Sequence, residues 1–359
     1  MSFPSVLPSS RVPGPAEAPP LNWGILAPGR VARAFATAVS RHTRQKLVAV
    51  GSRSKERGAA FAAEFGIERV HDSYEALVDD PAVKLVYIAS PHSEHADQAL
   101  LAIEAGKHVL VEKSFARNAA DAAVVVDAAR RRGVALMEAM WTRFLPRTDI
   151  VRQLLHEGVL GEIETVIADH GQWFEFDPAS RLFDPKLAGG ALLDLGIYPL
   201  SYAVFALGVP HRLTANGTIT ETGVDRQVSI ILDGFETHRA AQALLSTTLG
   251  AKTPTTATIS GSRARIELDG DFYAPGGVRL ISREGSVLET QARAIAGHEG
   301  LCFEAAHFAQ LVADGYTESP QLPLDETVAI VELLDGARAQ LGVSYPGESE
   351  RHRLQRRRH

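Results

Sequence analysis

A chain of 359 residues exceeds what one ordinary hydrophobic core serves and predicts two domains. With 45 % hydrophobic and 22 % charged residues it reads as globular, and a net charge of -6 excludes a broad polyphosphate-binding surface, so no nucleic acid partner is expected. The single cysteine, Cys302, excludes an intramolecular disulfide and a cysteine-rich zinc cluster and suits a reducing cytoplasm.

The first twenty residues carry six prolines and no apolar core of a signal peptide, so residues 1–20 are expected to be a disordered lead. No stretch reads as the ~20 apolar residues that cross a bilayer, and no membrane association is expected. From Leu21 to about Met140, short apolar runs alternate with longer helical ones. WGILA, KLVAVGS, LVYIAS, HVLVEK and VALMEAM read as strands buried on both faces. ARAFATAV, KERGAAFAAEF, HADQALLAIEA and AADAAVVVDAARRR read as the helices between them. This pattern predicts an N-terminal Rossmann domain, a doubly wound parallel α/β sheet, over 21–140.

The turn after the first strand, LAPGRVARAF, sets Ala27, Gly29 and Ala32 at the three small positions of a dinucleotide-binding turn. Only the middle one is glycine, and Arg30 and Val31 open a helix whose free N–H groups suit a pyrophosphate. The next strand ends in Ser52 and Arg53, with Arg57 one turn further on, where an NAD-preferring sheet usually carries an acid. Guanidinium groups suit a 2′-phosphate, so NADP is expected over NAD; the alternative is two exposed arginines at a helix start. The fourth strand ends in SPHSEH, placing Ser90 at the crevice and His95 either against the cofactor or on the helix surface. His92 and His95 are too few to predict a metal site, and none is expected.

Strand five ends in VLVEKSF, leaving Glu112 and Lys113 at its carboxyl end. Beyond Leu145 the rhythm changes to a helix (Arg147 to His156), a strand (Glu162 to Trp173) and the segment GGALLDLGIYPL, Gly189 to Leu200. On a helix, Asp194 and Tyr198 fall four residues apart on one face, so a carboxylate and a phenol reach one cavity together. Alternating strands follow (RLTANGTIT, QVSIILD, AQALLSTTL, TATISGS, ARIELD, VRLISRE), then two closing helices. The expectation for 141–346 is an α+β domain with an open, mostly antiparallel sheet. Cys302 is expected to be an ordinary packed thiol, and the basic run RHRLQRRRH within 347–359 a solvated, disordered tail.

Together the turn at Ala27 to Ala32, SPHSEH, EKS at Glu112 to Ser114 and GGALLDLGIYP resemble the Gfo/Idh/MocA oxidoreductase family. MEAMWTRFLP (Met137 to Pro146) and ETGVDRQVS (Glu221 to Ser229) resemble its branch of dihydrodiol and NADP-dependent D-xylose dehydrogenases. The resemblance spans about Leu21 to Pro346. It implies a nicotinamide cofactor between the two domains, a C-terminal sheet used for homodimerisation, and hydride transfer at a carbinol carbon of a sugar or trans-dihydrodiol. It also implies Lys113 and Tyr198 as the catalytic pair, Asp194 as the acid that orients substrate, and Trp141 and Arg143 near cofactor and substrate. Ser114 stands where the family usually has proline, and Tyr198 where many members have histidine.

In this reading Tyr198 takes or gives the hydroxyl proton, and Lys113 together with the positive nicotinamide lowers its pKa toward usefulness. Pocket walls are expected from Gln172 to Pro185 and Ala294 to Phe303, with Arg181 and His298 read as surface residues whose alternative is a substrate hydroxyl. Two other functions share this fold class: an NAD-dependent glycosidase using transient redox, and a non-catalytic NADP-sensing regulator.

Overall fold

Strands that are apolar on both faces need helices above and below them, and the first half of the chain supplies both. The computed structural model describes residues 3–290 and 295–348. Strands β1 (Asn22–Leu26), β2 (Lys46–Gly51), β3 (Arg69–His71), β4 (Leu85–Ile88), β5 (His108–Glu112) and β6 (Leu136–Ala139) form one sheet in the order β3-β2-β1-β4-β5-β6. All its pairings are parallel. Helices α1 (Arg30–His42), α2 (Lys55–Phe65), α3 (Tyr74–Val78), α4 (His95–Glu104) and α5 (Ala119–Arg132) connect the strands. Ile25, Leu26, Val86, Ile88, Val109 and Leu110 have no exposed surface, as two-sided burial requires. The strand order reverses between β1 and β4, which opens a ligand crevice at the carboxyl ends of the strands.

The second half begins with α6 (Pro146–His156), β7 (Ile163–Gly171) and α7 (Ile197–Leu207). It continues with β8 (Pro210–Ile219), β9 (Asp225–Phe235), β10 (Gln242–Thr248), β11 (Ala257–Gly261), β12 (Ala264–Leu268), β13 (Arg279–Ser282) and β14 (Val287–Glu289). These eight strands stand in the order β14-β13-β12-β11-β7-β10-β9-β8. Every neighbouring pair is antiparallel except β7 with β10. Val166, Ile230, Leu232, Ala243 and Leu245 are buried on one face, whereas Ile167, Ile231 and Leu244 are exposed on the other. Helices α8 (Leu301–Ala313) and α9 (Leu324–Leu341) close the chain, and Leu324 and Val331 return to the core of the first domain. Cys302 is buried in α8, and burial pushes its thiol up to about 12.

The structure departs from the sequence reading in three places. The lead is not loose within the described residues: the Arg11 guanidinium and N–H both donate to Asp149, at 2.9 and 2.7 Å, and Phe3, Leu7 and Val12 pack on the core. Its prolines already restrict the backbone, which lowers the entropy lost on docking. Next, Pro185–Leu207 is long and apolar enough to cross a bilayer, yet 94 % of its most apolar 18 residues are buried in the fold, so it is a core segment. Strands β3 and β14 are three residues each and too short to show a pattern. Ala294 of the expected pocket wall and the tail from residue 349 lie outside the described residues.

Candidate active site

A cavity of about 580 Å³ lies where the crevice of the parallel sheet meets the second domain. On the first side, Ala27 adopts φ 66°, the left-handed conformation glycine usually supplies. The Gly29 N–H turns back to the Ala27 oxygen at 2.8 Å. No side chain caps α1, so its first-turn N–H groups and positive dipole end remain available beside Gly29, Arg30 and Val31, which line the cavity. Ser90 lines it from the end of β4, and its Oγ is buried without a partner. An uncapped helix start and an orphaned hydroxyl on one wall fit a dinucleotide.

Lys113 follows β5. Its Nζ donates to the Asp194 backbone oxygen at 2.6 Å, lies 3.7 Å from the Asp194 carboxylate and sits 5.1 Å from the centre of the Tyr198 ring. Glu112 accepts the Tyr87 O–H on one oxygen and the Lys113 N–H on the other at 3.2 Å. The Lys113–Ser114 peptide is cis, and Ser114 Oγ donates to the Leu193 oxygen at 2.9 Å.

Asp194 sits in a π turn, Leu192–Gly196, which runs into α7. The Ile197 N–H reaches back five residues to the Leu192 oxygen, and this wider turn delivers Asp194 and Tyr198 to the same cavity. Trp141 Nε1–H donates to the Tyr198 oxygen at 3.2 Å. The phenol thus accepts from Trp141 and keeps its own proton for another acceptor. Arg181 donates to Asp194 Oδ1 at 3.0 Å. Burial works to raise the Asp194 carboxyl, and Lys113 and then Arg181 outweigh it, holding the group well below the usual carboxylate range.

Lys113, Asp194, Tyr198, Gly29, Arg30, Val31, Ser90, Glu112 and Trp141 thus meet at one cavity. Other expected residues do not reach it. His95 is fully buried, with both ring nitrogens 2.9 Å from the carbonyls of Ser114 and Ser90; it braces the wall from behind, because α4 points it inward. Arg143 is turned away to Ser201 and Glu326, which satisfy its guanidinium. Ser52 is buried beneath Gly58 and accepts the Ser54 N–H. Arg53 and Arg57 are exposed outside the cavity lining, Arg53 against the Tyr74 ring at 5.8 Å. Lys113 also lies over the ring of Tyr198 rather than at its hydroxyl. The phenol is held well above its ordinary value, first by burial and then by Glu112, whereas the expected lowering calls on the lysine and the positive nicotinamide together.

Arg181 and His298, read as surface residues, both line the cavity. His298 stacks on Trp141 with ring centres 5.7 Å apart. Gln172 and Phe174 line the cavity from the expected wall segment, whereas His92, His170 and Tyr273 are lining residues that the sequence reading missed as site residues. His170 stacks on Tyr273 at 4.5 Å and lies 5.4 Å from Tyr198. Burial brings His170 down to about 4 and His92 to about 3, so both are neutral near pH 7. His170 and Gln172 sit at the end of β7 on the parity that faces the cavity, a usable signal; Tyr273 lies in a loop and gives none. Among the described residues no group of three His, Cys, Asp or Glu could hold a metal ion.

Comparison with known proteins fits this geometry. The model of an oxidoreductase family with an NAD-binding Rossmann fold matches residues 21–140, and the GFO/IDH/MocA C-terminal domain model matches 149–267. The chain is 33 % identical over 331 residues to a trans-1,2-dihydrobenzene-1,2-diol dehydrogenase of Xenopus tropicalis, covering 90 % of this chain and 99 % of that one. It is 34 % identical over 372 residues to an NADP-dependent D-xylose 1-dehydrogenase of Hypocrea jecorina, covering 91 % and 93 %. A 3-ketoreductase from Actinomadura kijaniata, solved with NADP and TDP-benzene, superposes with a TM-score of 0.77 at 26 % identity, covering 90 % of this chain and 98 % of that one. With both halves matched in order, the chain belongs to the GFO/IDH/MocA oxidoreductase family.

Proposed function

We propose that this protein is an NADP-dependent oxidoreductase that interconverts a carbinol and a carbonyl, or oxidises a trans-dihydrodiol, on a small cyclic polyol or sugar. The observation that carries this reading is the Tyr198 phenol, oriented by Trp141 on the wall of a cavity whose opposite side is an uncapped helix start. Gly29, Arg30, Val31 and Ser90 would hold the cofactor, which when bound supplies or accepts the hydride. The protein manages the proton and the orientation: Tyr198 donates to the oxygen of the reacting carbon in reduction and takes that proton back in oxidation. Asp194, kept ionised, accepts a hydrogen bond from a neighbouring substrate hydroxyl. Trp141, Tyr273, Phe174 and His170 offer flat surfaces to a ring. Fluorescence titration with NADPH and NADH, followed by absorbance assays over pentoses, hexoses and trans-diols, tests the reading. NADPH binding with turnover of at least one ring polyol supports it; tight NAD binding without net reduction overturns it.

The exposed Arg53 and Arg57 support the NADP preference, because Arg53 follows the end of β2, beside the turn where the Ala27 N–H donates to Gly51. The double variant Arg53→Ala, Arg57→Ala is expected to bind NADPH about tenfold or more weakly with NADH unaffected. Equal loss for both cofactors removes these arginines from the 2′-phosphate.

The open face of the second sheet supports a homodimer. Ile231, Leu244 and Ile167 are direct cross-strand neighbours on β9, β10 and β7, and are 40, 42 and 52 % exposed. Such a row invites a second copy. Leu244→Lys is expected to shift the species seen by light scattering to the 38.7 kDa monomer. A wild type already monomeric at micromolar concentration overturns the dimer. The single cysteine supports the cytoplasm as the site of action.

A further inference from the structure

The motif ETGVDRQVS contains one residue buried directly behind the catalytic segment, and the chemistry above gives it no task. Asp225, the first residue of β9, has no exposed surface. Its Oδ2 accepts the Leu192 N–H at 2.6 Å, where the π turn begins. Its Oδ1 has no partner and faces Gly190, where a Cβ would lie 2.2 Å from it. Gly190 also has φ 117°, so glycine alone leaves room for the carboxylate and adopts the backbone that lets it in. One residue earlier, the Gly189 oxygen accepts the Tyr345 O–H at 2.6 Å.

We propose that Asp225 is a positioning residue: through the Leu192 N–H it fixes the start of the turn that aims Asp194 and Tyr198 into the cavity. The proposal rests on Tyr198 being the proton-transferring group. A carboxylate here is costly to the fold, since burial pushes it up to about 6 against the Leu192 N–H. The charged groups around it are few. Arg338 of α9 lies over the Tyr345 ring at 4.4 Å and is itself paired with Asp335 and Glu348. Asp194 on the turn is committed to Lys113 and Arg181. The hydrogen bonds on the carboxylate thus come from backbone, its own and that of Ala191 and Leu192 where the turn that carries the site begins. The opposite side of that turn is held by Ser114 on the Leu193 oxygen and Lys113 on the Asp194 oxygen. Asp225 and Tyr345 are the matching clamps from the second domain.

The test uses the full-length protein and the best ring polyol of the panel. Asp225→Val removes the acceptor at similar volume and is expected to lower kcat about 100-fold, with substrate KM and NADPH affinity within about twofold of wild type. Asp225→Asn keeps an oxygen for the Leu192 N–H and is expected to restore kcat to within about fivefold. Equal losses in both variants, wild-type turnover in the valine variant, or a parallel loss of NADPH binding each overturn the proposal. Should the valine variant fail to fold, Tyr345→Phe takes its place, with kcat expected to fall about tenfold at unchanged NADPH affinity; an unchanged kcat overturns the clamp. A crystal structure of the folded variant gives a readout without turnover. The Tyr198 hydroxyl is expected beyond hydrogen-bond distance of Trp141 Nε1, and an unmoved turn overturns the positioning role even where no substrate is turned over. A wild type that binds NADPH and reduces nothing overturns the reading of the activity instead.

Discussion

Replacing Tyr198 with Phe is expected to lower turnover by at least about 100-fold while NADPH affinity stays within about twofold of wild type. The phenol oxygen accepts from Trp141 Nε1, and the ring is packed against Tyr273 and His170; Phe retains the ring contacts alone. What Phe lacks is the hydroxyl, both the proton it gives to substrate and the oxygen that accepts from Trp141. The same environment fixes the sign of the pH dependence. Burial, then Glu112, keeps the Tyr198 pKa well above its ordinary value, so the phenol stays protonated through neutral and mildly alkaline solution. Reduction, which needs the protonated form, is expected to be flat from about pH 6 to 9, whereas oxidation, which needs a base, rises across that range. Initial rates in both directions across that range check this. Near-normal turnover in the Phe variant removes Tyr198 from proton transfer, and an oxidation rate that levels off near pH 7 places a different base there.

How much of this site the sequence discloses depends on how local each determinant is. The Rossmann half was legible because two-sided burial writes continuous apolar runs, as in HVLVE of β5 and LVYI of β4. Lys113 at a strand end and the four-residue spacing of Asp194 and Tyr198 are equally local, and both led to the cavity. The π turn was not legible: GGALLDLG has nothing that separates a wide turn from an ordinary one, and the distinction rests on Asp225, Ser114 and Lys113, which lie far away in sequence. The same distance misled the reading of Arg143. The resemblance puts it near cofactor and substrate, and only the fold brings Glu326 of α9 and Ser201 of α7 to occupy it. Arg181 failed in the opposite sense, since only the folded loop shows that its surface position is the rim of the cavity, 3.0 Å from Asp194. Where the lysine stands relative to the tyrosine is tertiary as well. Both residues were found, but the charge sits under the ring face and toward Asp194, which alters what the lysine does.

Lys113→Met is expected to lower turnover by about 100-fold to 1,000-fold and, unlike Tyr198→Phe, to lower stability too. Lys113 donates to the Asp194 backbone oxygen and neutralises its carboxylate. Met fills the stem and does neither. The side chains of this pair are 15 and 9 % exposed, so breaking it leaves a nearly buried carboxylate with Arg181 alone, at a cost of about 3 kcal/mol. The sign of the pH effect follows from Asp194. In the wild type its folded pKa lies below the unfolded value, so it contributes stability above the unfolded pKa and loses it only as pH falls through the depressed one. Without Lys113, which is the largest force holding that pKa down, burial raises it, and the variant is relieved by protonation. The melting-temperature gap between wild type and Lys113→Met is therefore expected to be wide at pH 8 and narrower at pH 5. Lys113→Arg keeps the charge but not the compact ammonium that fits between the Asp194 oxygen and the Tyr198 ring, so it recovers most of the stability and little of the turnover. A gap that stays constant with pH shows that Asp194 does not depend on Lys113 for its charge. Full turnover in the arginine variant shows that charge alone, and not the placement of the ammonium, is what the chemistry uses.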